Sequence, residues 1–264
     1  MVNKLNSLLN YFELKQESLV VILFQAGFLV VNLLLTKFVT ATVSQDGYAY
    51  VALGLSVVAF VSQVVFGGTN AAITRYYLDE RKRGNLAHFT SFVLLYYLVI
   101  NLVWASLFYY FGVQYLQIEI SHIIFICIYT SFFVFNAVFI SIANVIRRRF
   151  LVGILNLSDV CLKLLIFFIS TRFFDFNIFN SLLLSYLFSS GVVFSIFLIV
   201  IFRSNGEFFK IRLCLPGVVS IKVLFYYMIP FLPWTSLLWV QQVIDRWLLN
   251  KYLNLDAVAI YFAY

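Results

Sequence analysis

The stretch HIIFICIYTSFFVFNAVFISIANVIRRR, residues 122–149, decides the fold of this chain. Residues 122–146 contain no Asp, Glu, Lys or Arg. As an α-helix rising about 1.5 Å per residue, they are long enough to cross the ~30 Å hydrocarbon core of a bilayer. Three arginines, Arg147, Arg148 and Arg149, follow at once. An apolar run that stops at a basic cluster is typical of a transmembrane helix ending at the cytoplasmic face.

The rest of the chain repeats this pattern. It is 63% hydrophobic and 11% charged, with a mean hydropathy of +0.98, and a soluble domain of this length could not bury so much apolar surface. An eighth apolar run begins at about Ala257, after seven runs of roughly 20 residues that can each span a bilayer. The seven are residues 18–38, 48–66, 89–112, 122–146, 151–171, 181–202 and 223–244. The predicted fold class is therefore all-α, a polytopic helical membrane protein.

The basic residues predict the orientation of the spans. With the N-terminus in the cytoplasm, thirteen of the 18 Lys and Arg residues fall on the cytoplasmic side, four fall on the opposite side, and Lys163 lies inside a span. The positive-inside rule therefore predicts a cytoplasmic N-terminus. The net charge of +7 is therefore mainly an orientation signal. Nucleic-acid binding has no support, because the basic residues are divided among short loops.

The loops leave no room for a soluble catalytic domain, since the longest run only from about Gly67 to His88 and from Arg203 to Lys222. No GxxxxGK[ST] phosphate-binding loop occurs, and the three cysteines are scattered. His88 and His122 are interpreted as an isolated loop residue and an isolated interfacial residue, which argues against a metal site. We therefore expect a conduit or carrier rather than an enzyme, with no bound cofactor.

The chain divides into four predicted segments. Residues 1–17 form a lead-in whose apolar residues fall at helical spacing, which fits either an interfacial helix or the polar start of the first span. Residues 18–202 hold six spans, and residues 203–222 form a basic cytoplasmic connection. Residues 223–264 hold the seventh span and the beginning of the eighth.

Polar side chains repeat along one face of each of the first two spans. Gln25 and Asn32 lie seven residues apart in the first span, and Gln63 belongs to a similar stripe in the second. Polar groups facing lipid would lack hydrogen-bond partners, so these stripes are expected to face neighbouring helices or a water-filled cavity. The spacing fits simple helix–helix contacts as well as a cavity.

The fifth span carries two charges where lipid would surround an isolated helix. Asn156, Asp159 and Lys163 share one stripe, and Asp159 lies ~15 Å along the helix from Arg149, close to the bilayer midplane. Asp159 precedes Lys163 by four residues, the spacing at which an acid and a base pair on a helix. Two interpretations stay open. In the first, the pair only offsets the cost of insertion into the membrane. In the second, the cation faces an anionic substrate in a central cavity and the carboxylate takes up a proton.

Two prolines and the arginine cluster mark further positions of interest. Pro230 and Pro233 remove helix hydrogen bonds from the seventh span, so a kink or break is predicted there. Such breaks serve as hinges in transporters and also occur in static helices. The arginines 147–149 are assigned to membrane topology and contact with anionic headgroups, with recruitment of a pyrophosphate headgroup as the alternative.

Three stretches, in their order along the predicted topology, resemble those of polysaccharide and O-antigen flippases. FGGTNAAITRYY, residues 66–77, resembles their glycine-rich turn followed by Arg-Tyr. YYMIPFLPWTSLLWVQQVIDRWLLNKYL, residues 226–253, resembles their "Y..P" followed by "DR..L". AVAIYFAY, residues 257–264, resembles the start of their eighth span, with Ala259 in place of the usual glycine. These flippases belong to the multidrug/oligosaccharidyl-lipid/polysaccharide exporter superfamily.

The resemblance implies a two-lobed helical bundle, of which this chain supplies a first six-helix lobe and the start of a second. It implies alternating access in the bacterial inner membrane: a cavity between the lobes takes an undecaprenyl-pyrophosphate-linked oligosaccharide from the cytoplasmic side and releases it outward, driven by an H⁺ or Na⁺ gradient. Arg75, Asp245 and Arg246 match motif positions and are candidate cavity residues, whereas Asp159 and Lys163 match no motif. Besides the bilayer, a glycan polymerase and chain-length machinery are candidate partners.

Other membrane functions share this composition. An O-antigen polymerase or ligase is the enzyme alternative, although the large arginine-bearing extracytoplasmic loop of those enzymes does not occur in these residues. A non-transporting scaffold of a glycan-assembly complex and a multidrug or ion exporter of the same superfamily are the others. Because the eighth run stops at Tyr264 in mid-pattern, we expect a fragment of a longer protein or a truncated product, unable to alternate access by itself.

Overall fold

The chain is α-helical throughout the residues that the computed structural model describes. The backbone is described for residues 2–114, 119–173, 178–203, 218–253, 258, 260 and 261. Within these ranges, side chains are described from residue 19 onwards, except those of residues 46, 178, 179, 202, 218–221 and 223. Within them there is one π-turn and no β-strand. The elements are α1 Val2–Thr42, α2 Gln45–Phe60, the π-turn Val61–Val65, α3 Gly67–Lys82, α4 Leu86–Gln114, α5 Ile120–Val145, α6 Arg149–Phe173, α7 Ile178–Arg203, α8 Val218–Met228 and α9 Phe231–Tyr252.

Six helical segments of the described chain are long and apolar enough to cross a membrane: Leu19–Thr42, Gly47–Val65, Leu86–Gln114, Ile120–Val145, Arg149–Phe173 and Asn180–Ile201. They confirm the first six predicted spans. The seventh is divided into α8 and α9, and the break predicted from the prolines lies at Ile229 and Pro230. Pro233 falls instead in the first turn of α9, where a missing N–H breaks no intrahelical hydrogen bond.

The predicted loop between the second and third spans is wrong in one respect, because most of it is the helix α3. Ala72, Ile73 and Tyr77 are fully buried on one face of α3, which makes it an amphipathic helix packed on the bundle. Burial raises the pKa of the Tyr77 hydroxyl to about 12, so this group is neutral at physiological pH.

Contacts between helices show that successive spans alternate in direction. Asn101 Nδ2 in α4 donates to Ser131 Oγ in α5 at 2.7 Å, and Gly112 near the end of α4 approaches Ile123 near the start of α5. The basic residues Arg81, Lys82, Arg83, Arg147, Arg148, Arg149 and Arg203 consequently lie at one end of the bundle, here called the arginine-rich end. The other, the opposite end, contains the start of α2, the start of α5 and the end of α9.

Helix α7 packs on both α5 and α6. Ser181, Ser185 and Ser189 are fully buried at four-residue spacing, and such small residues let neighbouring helices approach closely. Asn136 in α5 donates from Nδ2 to the Ser190 carbonyl in α7 at 3.1 Å. These contacts fix α7 against the two helices that carry the candidate site.

Helix α1 lies at the edge of the bundle, mainly against α6. The lead-in and the first span form one continuous helix, although the lead-in side chains lie outside the described residues. Phe38 in α1 contacts Phe167 in α6 edge-to-face, with ring centroids 5.5 Å apart. Near the other end of the contact, Gly153 of α6 faces Phe24 of α1. Little of the apolar surface of α1 is buried by this packing.

Replacing Gly153 with alanine is expected to destabilise the α1–α6 contact by about 1–3 kcal/mol. A Cβ at this position would lie 2.7 Å from Phe24 Cγ and 3.1 Å from Phe24 Cβ, so helix and side chain must both move. Gly27→Ala is the matched control in the same contact, because its Cβ would meet Leu157 at an ordinary 3.5 Å. Thermal unfolding in detergent should show a lower Tm for Gly153→Ala and an unchanged Tm for Gly27→Ala; equal Tm values would contradict the close approach.

Candidate functional site

Helix α6 brings Asp159 and Lys163 together as an ion pair in which the lysine is buried and the aspartate half-buried. Lys163 Nζ donates to Asp159 Oδ2 at 2.5 Å, across one helical turn. Lys163 is only 8% exposed, which is rare for a lysine unless it is paired. The pair predicted from the spacing of the two residues is therefore confirmed as a contact. Asn156 is half-buried one turn earlier on the same stripe.

Two tyrosines from neighbouring helices surround the pair. The Lys163 ammonium lies 5.0 Å from the ring centroid of Tyr186 in α7, within the range of a cation–π interaction. Tyr186 in turn contacts Tyr129 of α5 edge-to-face, with ring centroids 5.5 Å apart. The lysine is thus held by a carboxylate on its own helix and an aromatic face on the next one.

The second oxygen of Asp159, Oδ1, is buried and has no hydrogen-bond partner among the described residues. A buried carboxylate oxygen without a donor is costly, because ionised groups need hydrogen bonds when they leave water. The cost falls if Oδ1 takes up a proton or accepts a hydrogen bond from a ligand. Oδ1 is therefore the atom of the pair that has room for a further hydrogen bond among the described residues.

A cavity of about 520 Å³ lies between α2, α4, α5, α7 and α9. Tyr186 and Tyr129 form part of its wall, together with the aromatic side chains Tyr50, Phe108, Phe125 and Trp247. Its polar lining residues are Ser44, Glu119, His122 and Asn250, which all lie near helix termini at the opposite end of the bundle. Asp159 and Lys163 are not in the lining. Tyr186 contacts the lysine and also borders the cavity, so the ion pair lies one aromatic ring away from it.

The glutamines of the second and seventh spans meet where those spans pack. Gln63 Nε2 in the π-turn donates to Gln242 Oε1 in α9 at 3.2 Å. Single π-turns inside helices occur frequently at functional sites. Gln25 and Asn32, by contrast, are exposed on α1 and away from α6. The structure therefore separates the polar stripes of the first two spans and places the first on an open face.

The motif residues of the seventh span lie near the opposite end. Asp245 Oδ2 accepts a hydrogen bond from the Tyr261 hydroxyl at 2.8 Å, which joins the "DR" motif to the start of the eighth run. Arg246 is half-buried and close enough to Tyr48 in α2 to interact with it electrostatically. Arg75 is exposed on α3, toward the arginine-rich end. Over the described residues these side chains do not form one cluster with Lys163.

The glycine-rich turn and the break in the seventh span are in direct contact. A Cβ added to Gly68 would lie 3.0 Å from the carbonyl oxygen of Met228, the last residue of α8, and one on Gly67 would lie 3.2 Å from Thr235 in α9. Thr69 Oγ1 is 3.8 Å from Met228 Sδ. Two stretches that were singled out separately in the sequence thus meet at the junction of α3, α8 and α9.

Two contacts were missed by the analysis of the sequence. His122 is not isolated, because its Nδ1 lies 3.7 Å from Glu119 Oε2, and the three-residue spacing could have indicated this pair. Ser56 accepts hydrogen bonds from two indoles of α9: its carbonyl from Trp239 Nε1 at 3.0 Å and its hydroxyl from Trp247 Nε1 at 3.1 Å. No spacing rule predicts contacts between residues so far apart in the chain.

Comparisons of the chain with protein-family models, curated proteins and solved structures find no match. The fold itself is that of an all-α polytopic membrane protein.

Proposed function

We propose that this chain belongs to a flippase that moves an undecaprenyl-pyrophosphate-linked oligosaccharide, an O-antigen or capsular repeat unit, from the inner to the outer leaflet of the bacterial inner membrane. A sugar headgroup with its pyrophosphate cannot cross hydrocarbon unaided, since its polar and charged groups would lose their water. A bundle that keeps polar groups and a cavity within its spans lowers that barrier.

The observation that carries the proposal is the buried Asp159–Lys163 pair beside the aromatic cavity. Charged residues inside transmembrane helices are costly, and they mark transport pathways or proton relays more often than loop charges do. Lys163 is the cation that an anionic headgroup would attract. Tyr186 is the group through which a ligand in the cavity would alter the surroundings of that cation.

The free oxygen of Asp159 supports coupling to an ion gradient. While Asp159 is ionised it neutralises Lys163, and when it binds a proton the lysine charge becomes available to an anion. Proton uptake and anion binding would then favour each other. A Na⁺ ion at Oδ1 would have the same effect on the lysine, so H⁺ and Na⁺ are both compatible with this scheme.

The exposed face of α1 and the break in the seventh span are both compatible with helices that move during transport. Gln25 and Asn32 are exposed on the described part of the bundle, and such amides facing lipid would lack partners. They are expected to face the translocation path. The break at Pro230, in contact with the glycine-rich turn, offers a position where α8 and α9 can change their relative angle.

Deletion of the encoding gene in its native host tests the proposal. We expect surface glycan to be lost while single lipid-linked repeat units accumulate on the cytoplasmic leaflet, because a flippase acts between assembly and polymerisation. The leaflet is read by labelling the sugars of intact spheroplasts with a membrane-impermeant reagent, before and after permeabilisation. Complementation with the wild-type gene is the control.

Two other outcomes would contradict the proposal. Single units that are labelled in intact spheroplasts but remain unpolymerised would indicate a polymerase or ligase. Unchanged surface glycan and unchanged lipid-linked intermediates would exclude a role in this pathway and leave export of another substrate.

A further inference from the structure

The aromatic lining of the 520 Å³ cavity has no role in the proposed transport cycle. Six aromatic side chains from five helices form its wall: Tyr50, Phe108, Phe125, Tyr129, Tyr186 and Trp247. The Trp247 indole N–H is already bonded to Ser56 Oγ, so this ring offers the cavity apolar surface and no free donor. Its volume is within the range of small-molecule sites, which are mostly apolar and hold a few polar groups.

The polar lining residues of the cavity lie near helix termini at the opposite end of the bundle and carry little net charge. Glu119 lies 3.7 Å from His122, and Ser44 and Asn250 add a hydroxyl and an amide. None of the lining residues is Lys or Arg. The described lining therefore offers a phosphate or pyrophosphate no lysine or arginine, and Lys163 is paired with Asp159 behind Tyr186.

We infer that this cavity is a saccharide subsite that binds a neutral sugar residue of the glycan at the opposite end of the bundle. A pyranose has apolar C–H faces that fit against aromatic rings and a rim of hydroxyl groups that pair with carboxylate, imidazole and amide groups. The lining provides both kinds of surface, aromatic rings from five helices and polar side chains near the helix termini at the opposite end. The inference rests on the proposed function and assigns the glycan and the pyrophosphate to different parts of the protein.

Equilibrium binding to the purified chain in detergent tests the subsite. The probes are methyl glycosides of neutral hexoses and N-acetylhexosamines, together with repeat units released from the surface polysaccharide of the host. Tetraphenylphosphonium and farnesol serve as comparison ligands for an organic-cation site and an isoprenoid site. Binding is followed by tryptophan fluorescence, since Trp247 is in the wall of the cavity.

We expect a saturable fluorescence change with at least one saccharide probe and with neither comparison ligand. Trp247→Phe should remove the change, whereas Trp234→Phe should keep it, because Trp234 is exposed on the same helix outside the lining. Glu119→Gln should raise the Kd about tenfold, the effect of losing roughly 1.4 kcal/mol of hydrogen bonding. Glu119 is mostly exposed, so this variant is expected to fold.

Saturation by tetraphenylphosphonium or farnesol but by no saccharide would overturn the inference, as would saccharide binding that survives both Trp247→Phe and Glu119→Gln. Because binding requires no transport, the two proposals can fail separately. If the chain restores surface glycan but binds no saccharide probe, only the subsite proposal fails. If the chain binds saccharide but deletion of its gene leaves surface glycan unchanged, only the flippase proposal fails.

Discussion

Replacing Lys163 with methionine is expected to lower the free energy of unfolding by about 3 kcal/mol and to abolish complementation of the gene deletion. The substitution removes the partner of Asp159 and leaves a carboxylate of which one oxygen already has no donor among the described residues. Chemical unfolding in detergent measures the first effect, and surface glycan measures the second.

The double variant Asp159→Asn/Lys163→Met separates a structural pair from a functional one. Replacing both members of a buried ion pair by groups of similar volume is often neutral for stability, so we expect most of the lost stability to return. Transport should stay absent if the charges take part in the cycle. A double variant that restores both stability and surface glycan would falsify any role of the charges beyond folding.

Lys251→Met is the matched control for this series. Lys251 also lies near a tyrosine ring, with its Nζ 5.4 Å from the ring centroid of Tyr252, but both residues are exposed. Exposed charges contribute little to stability, so unfolding and surface glycan should match the wild type. An effect of Lys251→Met equal to that of Lys163→Met would mean that the loss reflects net charge or membrane insertion rather than the buried pair.

The elements that depend on local sequence were predictable, and those that depend on distant contacts were not. Residues 122–149 specify a span because length and hydropathy are properties of one segment, and the Asp159–Lys163 contact follows from the helical period. The break at Pro230 follows from the missing donor. Helix α3 was not predicted, because its burial depends on neighbours that only the fold supplies.

The candidate site was only partly predictable for the same reason. Lys163 was recognised as an unusual residue, but its contact with Tyr186 joins two helices whose relative rotation no single-segment pattern fixes. The aromatic cavity is built from five helices, and 20% of the chain is aromatic, so composition could not select the six rings that form it. Gln25 and Asn32 show the converse, since a regular polar stripe proved to lie on an exposed face.

The contact between the glycine-rich turn and the divided seventh span leads to a second large expected effect. Gly68→Val should destabilise the protein by about 2–3 kcal/mol and reduce surface glycan strongly. The first added carbon alone would lie 3.0 Å from the Met228 carbonyl oxygen and 3.4 Å from Met228 Cα. These are backbone atoms that cannot rotate away, so α8 must move relative to α3.

Gly67→Ala tests whether the effect belongs to this backbone contact. Its Cβ would meet the Cγ2 atom of Thr235 at 3.2 Å, an atom at the end of a side chain that can rotate. We therefore expect a small change in Tm and normal surface glycan, although the two glycines are adjacent. If Gly68→Val unfolds no more readily than Gly67→Ala and still blocks transport, the junction limits movement rather than stability. If both variants have the same stability and the same transport activity, α3 does not hold the end of α8. The proposed hinge at Pro230 would then have no fixed contact against which α8 and α9 could change their angle.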